Sequence, residues 1–176
     1  MEGQRQRYER LPDYYADDLR KINFRQHPEK YRIGKGEQGV LLVEPYKSEI
    51  LPHWRFKTPE IARESSEAIY QLFLDYLAKN DFVGADMARK FLQMGYTRSR
   101  RYANHKSGRK YAKNPQLEPS AEAERSARKA YLLPNEPDPV KAASAAIFKE
   151  KYLQAKEHPE YVRLMQIHRE QYESGE

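Results

Sequence analysis

The sequence predicts a small, mainly helical α+β domain: a β-hairpin packed on a helical core, followed by a helical C-terminal tail. Three observations carry this. Apolar residues recur at helical spacing over residues 58–79 and 81–94, two short apolar runs flank a glycine-rich turn at residues 34–39, and prolines at 115, 119, 134, 137 and 139 break up the last third. The expected organisation is an N-terminal extension (1–24), a compact core (25–117), a helix with a Pro-rich linker (118–138) and a C-terminal helical tail (139–176).

Residues 1–12 are polar, and Asp13 to Phe24 reads as a short helix docking through Tyr14, Leu19 and Ile22 before His27-Pro28-Glu29 breaks it. Tyr31-Arg32-Ile33 and Val40 to Glu44 read as the two hairpin strands, with residues 34–39 as the turn. Pro45 and Pro52 bracket a turn-rich connection, and the single tryptophan, Trp54, is expected to seal the core. Thr58 suits an N-cap, Pro59 the first helical position and Glu60 the positive end of the helix dipole. Ile61, Ala68, Ile69, Leu72, Phe73, Tyr76 and Leu77 then form one stripe to about Lys79. Asp81 caps a second helix through Met94, with Phe82, Ala85, Ala88, Phe91 and Leu92 inward and Gly95 as its stop. Beyond Asn114-Pro115 and Glu118-Pro119 come an Ala-rich helix (Ser120 to Tyr131) and a stiff linker (Pro134 to Pro139). Asp138-Pro139 opens a helix to about Lys156, and Tyr161, Leu164, Met165, His168 and Tyr172 mark a last amphipathic one.

At 176 residues, with 39% hydrophobic and 33% charged residues, the chain has material for one modest core. Fourteen tyrosines are expected to extend that core outward, because a tyrosine can bury its ring while keeping its hydroxyl wet. The absence of cysteine excludes disulfides and thiolate metal sites. The longest strongly apolar run, Val40 to Val43, is far too short to cross a bilayer, and the first residues lack the apolar stretch of a signal peptide. The expectation is a soluble, cytoplasmic protein with no membrane partner and no cofactor.

Charge is concentrated in one window. From Met87 to Leu117 there are nine Lys and Arg and no acid, against a net charge of +6 for the whole chain, so the remaining residues together carry −3. Phe91, Tyr96, Tyr102 and Tyr111 are interleaved with Arg89, Lys90, Arg98, Arg100, Arg101, Lys106, Arg109, Lys110 and Lys113. Cations that neutralise phosphates, beside rings that stack on bases, mark a nucleic-acid surface. Two or three cations near a helix C-terminus are explained by the dipole; nine are not.

Other motifs are weaker. Gly34-Lys35-Gly36-Glu37-Gln38-Gly39 fits G-x-G-x-x-G, but a dinucleotide site needs the third glycine to open a helix, whereas here an apolar, strand-like run follows. A hairpin turn is the simpler account, with Lys35 available for a phosphate. Glu44, Lys47 and Glu49 invite a metal-dependent nuclease reading, but Pro45 interrupts the run and two residues separate Glu44 from Lys47. The histidines at 27, 53, 105, 158 and 168 show no metal-ligand spacing, so no metal site is expected.

Two strings resemble a known family: Tyr31 through Pro59, running Tyr-Arg-Ile-Gly-Lys-Gly-Glu-Gln-Gly-Val-Leu-Leu-Val-Glu-Pro-Tyr-Lys and onward, and Gly84 through Lys106. The family is catalogued as a domain of unknown function and occurs in bacteria, tailed phages and some eukaryotes. The likeness covers roughly residues 24–155 and implies an intracellular domain of about this length. It supplies no activity, cofactor or catalytic residue.

The expected function is therefore largely sequence-independent nucleic-acid binding, DNA or RNA, by a loop after the second core helix. Arg98, Arg100, Arg101, His105, Lys106, Arg109 and Lys110 would contact phosphate, Tyr102 or Tyr111 would stack, and Lys35 would extend the surface. An enzyme acting on nucleic acid or a nucleotide, centred on Glu37, Glu44, Glu49 or His53, is the alternative. The third is an interaction module, in which the linker and the two tail helices dock a partner; an acidic protein partner is the alternative ligand for the basic window.

Overall fold

Helix starts follow the capping residues written in the sequence. The computed structural model describes residues 19–34, 39–105 and 108–173. Among them are α1 (Tyr46–Ile50), α2 (Pro59–Ala78), α3 (Phe82–Asn104), α4 (Ala121–Ala130), α5 (Pro139–Glu157) and α6 (Pro159–His168). Thr58 accepts from the N–H of Ile61 at 3.2 Å, Asp81 from Gly84 at 3.1 Å, Ser120 from Ala123 at 3.0 Å and Asp138 from Val140 at 2.9 Å. Each supplies an acceptor to a first-turn donor that has no partner within the helix.

The first half of α3 is the axis of the molecule. From Phe82 to Leu92 every residue is buried, so this stretch is enclosed by other elements on all sides. α2 folds back on it through the tight Lys79–Asp81 turn, α5 runs antiparallel along it, and α6 closes the end near Phe82. Phe73, Phe91, Phe148, Ile69, Met87 and Leu92 are fully buried at the centre. The C-terminal helices, expected as a tail, are thus part of the core: Phe148, Ala155, Tyr161 and Leu164 belong to the central apolar cluster.

The expected β-hairpin is absent. No strand occurs among the described residues, only isolated bridges between Asn23 and Glu44 and between Tyr111 and Leu132. Gly39 takes a left-handed conformation (φ 75°) and Val40–Leu42 forms a 3₁₀ turn. Val40 and Val43 are buried three residues apart while Leu41 is 52% exposed, a spacing that suits a helical turn and not a strand. A four-residue apolar run fits either geometry; here the tertiary contacts selected the turn. The α+β class is corrected to all-helical. The helix expected over residues 13–24 lies mostly outside the described residues; its end is a 3₁₀ turn at Leu19–Lys21.

Gly95 departs from its expected role as a helix stop. It does not stop α3, which continues nine residues further to Asn104. A Cβ at this position would collide with the Phe148 ring, so the glycine serves the close approach of α5. No helix of the described residues is long and apolar enough to cross a membrane.

Candidate functional site

Because α3 runs on past Gly95, Arg98, Arg100 and Arg101 sit on an exposed helical surface, not in a loop. The chain then leaves the bundle, forms an arm and returns to start α5. The arm is closed at its base by backbone pairs: Asp138 N–H donates to Ala103 O at 2.7 Å and Glu136 N–H to Asn104 O at 2.5 Å. Farther out, Leu133 N–H donates to Lys110 O at 2.9 Å and Ala112 N–H to Tyr131 O at 2.7 Å. His105 is buried and its Nδ1–H donates to Pro134 O at 3.2 Å, the tautomer that a carbonyl partner requires. Tyr102 packs on Phe56, with ring centroids 5.8 Å apart, and covers Gly108, whose φ of 69° suits glycine. His105 and Tyr102, expected at the ligand, thus have clear roles as pegs of the arm.

Between α3 and the arm lies an open cleft of about 670 Å³. Six cations line it: Arg98 and Arg101 from α3, Arg109, Lys110 and Lys113 from the outgoing chain, and Arg128 from α4. No carboxylate is among the lining residues. Arg109 is partly committed to its own loop, donating from Nε to Tyr111 O at 3.2 Å and from Nη2 to Ala112 O at 2.7 Å. Arg128 pairs with Glu124 at 2.6 Å and donates from Nη1 to Tyr111 Oη at 3.4 Å. Among the described residues none of the other five cations forms an ion pair. Tyr111 lies in the lining with Lys110 Nζ 5.4 Å and Arg128 Cζ 5.9 Å from its ring centre. Partial burial pushes its hydroxyl up, but the Arg128 hydrogen bond and the neighbouring Lys110 outweigh this and hold it below the usual phenol value.

Arg100 stands apart from this cleft. Its guanidinium lies 5.9 Å from the ring centre of Tyr96, one turn back on α3. Lys106 and Lys35 fall outside the described residues. Of the ten expected contact residues, Arg98, Arg101, Arg109, Lys110 and Tyr111 are brought together. Arg128 is a lining cation that sequence reasoning missed, because Glu118, Glu122 and Glu124 separate it from the acid-free basic window.

Two cations of the window turn inward. Arg89 and Lys90 flank Asp86, and all three are buried. Asp86 Oδ1 accepts from Arg89 Nη2 at 2.6 Å and from Tyr161 Oη at 2.6 Å; Oδ2 accepts from the Tyr31 hydroxyl and lies 3.7 Å from Lys90 Nζ. Burial alone would push the Asp86 carboxyl up; the Arg89 and Lys90 charges and the two phenol hydrogen bonds hold it far below the usual carboxylate range. Burial pushes the Lys90 ammonium down, opposed by Asp86. The network joins the N-terminal segment, α3 and α6, and His168 Nε2–H adds a bond to Tyr31 O at 2.8 Å. A carboxylate with cations three and four residues on, inside a helix apolar on every other side, was the available signal.

The residues of the enzyme alternative do not join the cleft. Glu44 pairs with Lys47 at 3.5 Å and Glu49 with Arg25 at 2.7 Å; neither these nor His53 line it, and Glu37 lies outside the described residues. Among the described residues no group of three or more His, Asp or Glu could hold a metal ion.

Neither the curated proteins nor the solved structures yield a match to this chain. One family model does match, over residues 14–171, a span that takes in all six helices and every residue of the cleft. The chain belongs to that family, described as Domain of unknown function (DUF4385).

Proposed function

We propose that this protein binds a nucleic-acid strand, largely without regard to sequence, in the cleft between the C-terminal half of α3 and the arm. The observation that carries the reading is convergence. Six cations from three separate stretches of chain line one open cleft, with no carboxylate among the lining residues. Like charges held together repel one another, and a chain of phosphates relieves that cost while releasing its counterions. Tyr111, half-buried between Lys110 and Arg128, presents a ring to a base beside those phosphate contacts. Phosphate-seeking groups outnumber the side chains suited to reading base edges, which favours affinity over specificity.

The test is fluorescence anisotropy of labelled single-stranded DNA, duplex DNA and RNA against salt, for wild type and Arg98→Ala/Arg101→Ala. Wild-type affinity is expected to fall steeply with salt. The variant should weaken binding and lower the log–log salt slope for a single strand by about 1.4, roughly 0.7 for each lost phosphate contact. Absence of binding to all three probes at low salt would overturn the reading.

A further inference from the structure

The close crossing of α3 and α5 builds a second cationic locus. Phe148 packs against Gly95, and the next residue on each helix is thereby set against its counterpart: Lys149 Nζ lies 5.7 Å from the ring centre of Tyr96. Arg100 approaches the same ring to 5.9 Å. Arg100 and Lys149 are exposed, and among the described residues neither forms an ion pair. A half-buried tyrosine therefore organises a guanidinium and an ammonium from two helices at one spot. Arg100 and Thr97 adjoin on the helical surface, and Thr97 lines the cleft, so the exposed side of α3 runs without interruption from one locus to the other.

We propose that Arg100 and Lys149, organised by Tyr96, form a second phosphate-binding locus reached by a single nucleic-acid strand that passes around α3 from the cleft. This rests on the function proposed above. The geometry selects a single strand. A helix with its side chains is only about 10–12 Å across, whereas duplex DNA resists smooth bending over a persistence length of about 50 nm. A duplex cannot follow the curvature of one helix; a flexible strand can. The recognised chemistry is the phosphodiester chain, which DNA and RNA share.

The experiment measures anisotropy with the full chain and oligodeoxyuridylates and oligouridylates of roughly 4 and roughly 16 nucleotides, the range of single-strand site sizes. Arg100→Ala/Lys149→Ala is expected to leave the short probes unaffected, while the long probes bind more weakly with a salt slope lower by about 1.4. Arg100→Lys, which keeps the charge, should retain the wild-type slope. The tighter of the two long wild-type probes identifies the sugar. Long-probe binding unchanged in the double variant, or equal losses for short and long probes, would overturn the second locus and leave the cleft standing. A duplex with the same dependence on Arg100 and Lys149 as the long strand would overturn the wrapped path. Failure of wild type to bind any probe would instead overturn the function on which the proposal rests.

Discussion

Asp86 shows how a single residue can reassign its neighbours. Placed one position before the acid-free window, it takes Arg89 and Lys90 into the interior, while Arg98, Arg100, Arg101, Arg109 and Lys113 stay exposed. Replacing it by Asn removes the charge while Arg89 and Lys90 stay buried, a situation that typically costs about 3–5 kcal/mol. Urea unfolding of Asp86→Asn at pH 7 is expected to show a loss of that size; a change under about 0.5 kcal/mol would contradict the network's role. The pH dependence has a definite sign. A carboxyl held below its unfolded value contributes stability that is fully present above the unfolded pKa, about 3.9, and is lost as pH falls towards the folded value. The gap between wild type and Asp86→Asn should therefore be constant near neutrality and shrink below about pH 4. The sequence made the cations at 89 and 90 visible but not their direction, because a charge count does not register that Phe82 to Leu92 is enclosed on all sides.

Among the elements, α3 joins the core to the cationic surface. Its first half is core and its second half carries exposed Arg98, Arg100 and Arg101, so the proposed binding surface is fixed rigidly to the interior. Gly95 sits where the two halves meet, at the crossing with α5. Alanine is intrinsically better than glycine in a helix by about 1 kcal/mol, but a Cβ here would collide with the buried Phe148 ring. Gly95→Ala is thus expected to destabilise by about 1–3 kcal/mol through overpacking, and Phe148→Leu in the same chain should recover part of the loss in a double-mutant cycle. A stabilised Gly95→Ala would show that the contact yields easily. A glycine after a helical stripe reads naturally as a C-cap, and only the partner helix, distant in sequence, distinguishes a cap from a crossing point. The same limit explains the hairpin: the caps at Thr58, Asp81 and Asp138 are local and were legible, whereas Val40 to Val43 took the shape its tertiary neighbours required.

For the whole molecule, the concentration of charge was plain in the sequence, but its folding into a cleft was not. Arg128 joins Arg98 and Arg101 only because the arm doubles back, pairing residues 110 and 112 with 133 and 131. His105 and Tyr102, chemically apt for a ligand, also hold the arm to the bundle. Whether a nucleic-acid strand lies in this cleft can be read by photo-crosslinking with a bromouridine-substituted single strand, mapped by mass spectrometry. A strand in the cleft should give salt-sensitive adducts on Tyr111 or its immediate neighbours, lost in Arg98→Ala/Arg101→Ala. Adducts confined to α2 or to the segment before α1, undiminished in that variant, would contradict it.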